Sequence, residues 1–156
     1  MKHQHLDTGC FQIRLTCICS AMAAGLGLLA LIGWVAARPW LTALWPGGIP
    51  MAPSTALLFV LYGTALPLRE CLPKTTLLFR LSSLLGWTGV ILSLLLLIFS
   101  MLGIQLKAEY LGMNISGMAG EAPVGHMSPL TALCFVIIGG SFLLQLEDGK
   151  RALVAF

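Results

Sequence analysis

Charge is what this chain has least of. Asp, Glu, Lys and Arg make up 10% of its 156 residues, against about 25% in a soluble domain. Four stretches hold none of them: Leu15 to Ala37, Pro39 to Leu68, Leu81 to Leu106 and Ala122 to Leu146. Each has room for a helix of about 20 residues, enough to cross a hydrocarbon core of roughly 30 Å. A soluble bundle needs a polar face on every helix, and the run LLGWTGVILSLLLLIFSML offers none.

Other scarcities narrow the chemistry. The histidines are His3, His5 and His126, and none is mid-membrane. A haem in a helical bundle needs His or Met ligands facing inward, so a haem or redox protein is a weak alternative. No ionisable residue stands at mid-membrane, where transporters and channels place theirs. A small transporter or channel subunit is therefore the second reading, with Tyr62, Thr64, Thr88 and Ser93 as its polar candidates. No cluster of Asp, Glu, His or Ser has catalytic spacing, so the chain itself is expected to be no enzyme and to hold no metal or cofactor. The five cysteines are an odd set. Cys17 and Cys19 point in different directions on a helix; four of the five fall at or near the expected cytoplasmic face, where thiols stay reduced, and all five are expected to be small apolar filler.

What charge there is shows direction. With a cytoplasmic N-terminus, the inner segments hold Lys2, Arg14, Arg69, Lys74, Arg80, Lys150 and Arg151, and the outer ones only Arg38 and Lys107. This satisfies the positive-inside rule. The basic residues form no patch with interleaved aromatics, so no nucleic-acid partner is expected. Leu15 to Ala37 exceeds the roughly 7–15 residues of a signal-peptide core, so it reads as a retained helix.

The expected fold is all-α: a polytopic membrane protein with four transmembrane helices arranged as two repeated hairpins. Residues 1–14 form a cytoplasmic lead and residues 15–146 the membrane domain. Repeat one covers 15–69 and repeat two 81–146. Residues 147–156 are a charged cytoplasmic segment in which a new apolar run begins and is cut short. Trp34, Trp40 and Trp45 cluster at the outer end of helix one, where Trp favours the headgroup level.

The repeat rests on a phrase that occurs twice. MAPSTALLFVLYGTAL starts at Met51 and MSPLTALCFVIIGGSF at Met127, and eight positions match without a gap. Pro53 and Pro129 suit the first position of a helix, where a missing N–H costs nothing. Ser128 is a good N-cap for the second copy, and Ala52 a poor one for the first. Gly63 and Gly139 permit close packing, as do Ala23 and Gly27 in helix one. Two helix N-termini would face the outer leaflet together, each with a partial positive charge. Met51, Thr55, His126, Met127 and Thr131 are the candidate ligand-binding residues of a shared outer crevice. Simple packing is the competing explanation for them.

The paired Met-x-Pro-x-Thr-Ala-Leu segments resemble the N-terminal multi-helix membrane region of bacterial sensor proteins, across roughly residues 20 to 146. In that family the region precedes PAS domains and a histidine kinase or a GGDEF diguanylate cyclase. The resemblance implies a sensory or anchoring input domain in the bacterial inner membrane, working as a homodimer. It also implies a cytoplasmic output domain or response regulator as partner. The chain departs from the family pattern at His126, where Arg is expected.

Overall fold

The computed structural model describes residues 2–42, 50–70, 75–103, 118–119, 122–123 and 127–154. They form α1 (Lys2–Val35), a single turn α2 (Pro39–Thr42), α3 (Pro53–Glu70), α4 (Thr76–Met101) and α5 (Pro129–Val154). A two-residue antiparallel pair, β1 (Met118–Ala119) and β2 (Ala122–Pro123), sits in the connection before α5. The fold is thus all-helical apart from that hairpin.

Three helices are long and apolar enough to cross a membrane: α1 over Phe11–Val35, α4 over Thr76–Met101 and α5 over Pro129–Leu146. Their surfaces are those of elements that face lipid. On α4, Leu84, Trp87, Ile91 and Leu94 are exposed, while Ser82, Gly86, Gly89 and Ser93 are buried. The buried four recur at the four- and three-residue steps that keep one helix face in line. Lipid tails are as apolar as leucine, so a membrane helix gains little by turning its large side chains inward. Small residues that let backbones approach take the interior instead. An apolar exterior of this extent would aggregate in water.

The fourth expected crossing, α3, is less apolar and does not meet the same criterion. It carries Ser54, Thr55, Tyr62, Thr64 and an internal Pro67. The reason lies in its position. It packs against α1, α4 and α5, and most of its side chains are buried or half-buried. A helix covered by protein needs no lipid-grade surface. Its 18 residues rise about 27 Å at 1.5 Å each.

Two contacts set the direction of α3 and α5. The Ser54 hydroxyl approaches Met127 Sδ at 3.9 Å at one end, and Arg69 donates to the Gln145 carbonyl at the other. The helices therefore run side by side in the same sense, with Pro53 and Pro129 at one end of the bundle. Antiparallel to α3, α1 packs through small residues. A Cβ on Gly63 would lie 2.6 Å from the Ala24 nitrogen and 2.8 Å from the Ser20 oxygen. A Cβ on Gly27 would lie 2.5 Å from the Ala56 oxygen. The close-packing pair on α1 is therefore Ala24 with Gly27; Ala23 is half-buried to one side. On the other flank, the Ser82 hydroxyl donates to the Ala65 oxygen at 2.9 Å and ties α4 to α3.

Two boundaries and one cysteine differ from expectation. The lead is not separate: α1 is helical from Lys2, continuous with the apolar run. Likewise α5 continues past Leu146 through the charged residues to Val154. Glu, Lys, Arg, Ala and Leu are good helix formers, and one glycine among them does not break the run. Cys17 is disulfide-bonded, a departure from reduced filler, whereas Cys19 and Cys134 are free and exposed.

Helix α1 stops in a paired backbone cap. Arg38 N–H donates to the Gly33 oxygen at 2.8 Å, and Ala37 N–H to the Trp34 oxygen at 3.2 Å. This is the Schellman pattern, which needs a left-handed residue at its corner. Ala37 fills that corner at φ 52°, and Pro39 then opens the single turn α2 at a first helical position, where its missing N–H costs nothing.

Candidate functional site

Both repeated segments start helices at their prolines. Pro53 opens α3 and Pro129 opens α5. The second start is capped as its sequence requires: Thr131 N–H donates to the Ser128 hydroxyl at 3.2 Å, and the Ser128 and Thr131 hydroxyls pair at 2.7 Å. At the first start only the backbone closes the turn, with Ala56 N–H donating to the Ala52 oxygen at 3.0 Å. The alanine offers no side-chain acceptor, so the two copies have diverged in their caps.

The structure joins the two starts through Met127. Its side chain is 2% exposed and lies in one apolar cluster with Ala52, Leu58, Tyr62, Ala132 and Phe135. Met51 is half-buried and held by its backbone. Its carbonyl accepts the Trp34 indole N–H at 2.8 Å, and its N–H donates to the Thr42 oxygen at 2.8 Å. Trp34 thus pins the end of α1 to the start of α3, a task beyond the interfacial anchoring expected of it. Trp45 lies outside the described residues.

The two threonines have different surroundings. Thr55 is buried, whereas Thr131 is half-buried and engaged by Ser128. No hydrogen bond joins Thr55 to Thr131 among the described residues. His126 lies outside the described residues. Of the candidate residues, Met127 therefore fills the space between the two helix starts, while Met51 is tied to Trp34 and Thr42 and Thr131 to Ser128.

Sequence reading passed over the aromatic centre beneath this junction. Phe135 meets Phe59 edge-to-face at 5.3 Å between ring centres and stacks on Tyr62 at 5.9 Å. Phe59 and Phe135 are matching positions of the repeat, so the repeat itself was the available signal. The Tyr62 hydroxyl is buried beside Ser93, whose own hydroxyl donates to the Val90 oxygen at 3.0 Å. It points to the space left by Gly89 and Gly139: a Cβ on Gly89 would sit 3.0 Å from the hydroxyl, and one on Gly139 would collide with it. Gly139 therefore serves the tyrosine, not a neighbouring backbone. Among the described residues, no group of three or more His, Cys, Asp or Glu side chains comes together.

No protein-family model, curated protein or solved structure matches this chain.

Proposed function

We propose that this chain is an integral-membrane sensory or anchoring input domain of a bacterial signal-transduction protein of the two-component or diguanylate-cyclase kind. In this reading four helices cross the inner membrane as two hairpins related by a rotation about the membrane normal. Both termini are cytoplasmic, and the domain passes a signal from the membrane or the outer face to a C-terminal output domain. It acts as a homodimer.

One observation carries the reading: the resembling segments meet in a single junction. Met127 from the second copy packs on Ser54 of the first, and Trp34 fastens α1 to Met51. A displacement at either start would be transmitted to the other through packed side chains. Both α1 and α5 would carry it to the opposite end of the bundle.

The test uses the full-length gene product. The account expects a reading frame that continues beyond Phe156 into a PAS, histidine-kinase or GGDEF segment. In that protein, Met127→Ala and the Thr55→Val/Thr131→Val pair should alter kinase or cyclase output at unchanged membrane abundance. Output identical to wild type in both variants would remove the junction from signalling. A frame with no output segment would remove the function.

A further inference from the structure

Trp87 is out of place for a residue that faces lipid. It is 53% exposed and stands at the middle of α4, which covers Thr76–Met101. Trp favours the headgroup level at either end of a spanning helix. Its indole N–H donates to no acceptor among the described residues, and hydrocarbon at that depth offers none. The leucines and isoleucines around it are at home against acyl chains, but the N–H is not.

The next residue carries an acceptor. Thr88 is also exposed, and its hydroxyl donates to the Leu84 oxygen at 2.8 Å, which leaves the oxygen able to accept. Neighbours in sequence do not face each other on a helix, so Trp87 cannot use this oxygen within its own chain. A donor and an acceptor thus stand at one depth on one outer face. A second copy, related by a two-fold axis along the membrane normal, brings α4 against α4 in parallel and at equal depth. Each Trp87 N–H then meets Thr88 of the partner subunit, and one axis makes both bonds.

The rest of the face has the period that such a pairing needs. Leu81, Leu84, Thr88, Ile91, Leu95 and Ile98 are all exposed and alternate three and four residues apart. This is the 3.5-residue repeat of a left-handed helix pair. From Leu81 to Ile98 the seam runs about 26 Å at 1.5 Å per residue, most of the roughly 30 Å core. Thr88 is the polar member of that row, and one polar residue in such a seam fixes register and oligomer state. The opposite face of α4 is packed on α3 and α5, so the pairing displaces nothing inside the bundle.

We propose that this face of α4 binds the same face of a second copy, with Trp87 and Thr88 as the central hydrogen-bonded pair. The pairing gives the homodimer of the proposed function its surface and rests on that reading.

The test begins with photo-cross-linking in native membranes. A benzophenone side chain replaces Ile91 or Ile98 on α4, Leu29 on α1 or Ile137 on α5, all exposed positions. Sites 91 and 98 lie in the seam and should give a covalent dimer at a yield at least about fivefold above sites 29 and 137. Trp87→Phe keeps an aromatic ring and deletes the donor, and Thr88→Val keeps the shape and deletes the acceptor. Both side chains are exposed, so both variants should fold. Two interhelical hydrogen bonds of the usual strength in membranes correspond to about five- to tenfold in affinity. Each variant should weaken the dimer by that factor in an energy-transfer titration in liposomes, and the double variant by no more. Dimer bands at 29 or 137 with none at 91 and 98 would overturn this face and leave the homodimer standing. So would equal yields at all four sites, or unchanged affinity in both variants. A monomer in liposomes with no band at any site would overturn the face and the homodimer together.

Discussion

Arg69 donates from Nη2 to the main-chain oxygen of Gln145 at 2.8 Å, and the two residues hold the same place in successive copies of the repeat. Phe59 and Phe135 also match, and they meet edge-to-face at 5.3 Å. Equivalent residues of the two copies thus touch at two levels, which is what two parallel, side-by-side copies of one helix require.

Phe135 should be the costliest ring to remove. It is 6% exposed and touches both Phe59 and Tyr62. Truncating a buried Phe costs about 3–5 kcal/mol. Phe135→Ala should lose that much in a denaturant titration from detergent micelles. A double-mutant cycle with Phe59→Ala should return a coupling of about 0.5–1.5 kcal/mol. Strict additivity would deny the contact.

Gly63 and Gly25 should respond in opposite ways to alanine. A Cβ at 63 meets the backbone of α1, whereas at 25 nothing lies within 4 Å. Gly63→Ala must push α1 away and should destabilise. Gly25→Ala should gain about 0.5–1 kcal/mol from the lower conformational entropy of alanine. Equal effects in thermal unfolding would show that α1 does not pack where described.

Ala37 is held in the left-handed region, which costs a residue with a Cβ about 1–2 kcal/mol. Ala37→Gly relieves this and keeps both cap hydrogen bonds. Its unfolding free energy should rise by about 1 kcal/mol. A fall would mean that the α1 end is not capped in this way.

The Tyr62 hydroxyl is buried against Ser93, whose own hydroxyl already donates to the Val90 oxygen at 3.0 Å, and a poorly satisfied buried polar group costs about 1–3 kcal/mol. Tyr62→Phe keeps the ring stack and should be neutral or stabilising. A loss above about 1 kcal/mol would point to a hydrogen bond that the hydroxyl makes in the membrane.

Much of this architecture could be read from the sequence, and the rest was hidden for definite reasons. Pro53 and Pro129 mark their helix starts because proline has a strong positional preference there. The duplicated phrase made the pairing of α3 with α5 an expectation. The inward face of α4 is written in the spacing of Ser82, Gly86, Gly89 and Ser93. By contrast, α1 begins at Lys2 among polar residues with no capping signal, so its start was placed at the apolar boundary. The filled state of the junction depends on how Met127 folds back onto Ser54, which no local pattern encodes.

The side on which the Arg69 end lies bears on Cys17. On the orientation proposed above that end lies in the cytoplasm, where thiols stay reduced, yet Cys17 is disulfide-bonded in the structure. Alkylation in living cells before lysis should modify Cys17 if the charge argument holds. Protection until a reductant is added would favour the opposite orientation.

The central claim is that α3 crosses the membrane despite its modest apolarity, so that both repeated starts share one face. Single cysteines at Gly48, Lys74 and Gly117, in an otherwise cysteine-free background, test it with an impermeant maleimide on spheroplasts. The account predicts labelling at 48 and 117 on intact spheroplasts and at 74 only after lysis. Labelling of 48 and 74 from the same side would mean that α3 does not cross, and would contradict the account.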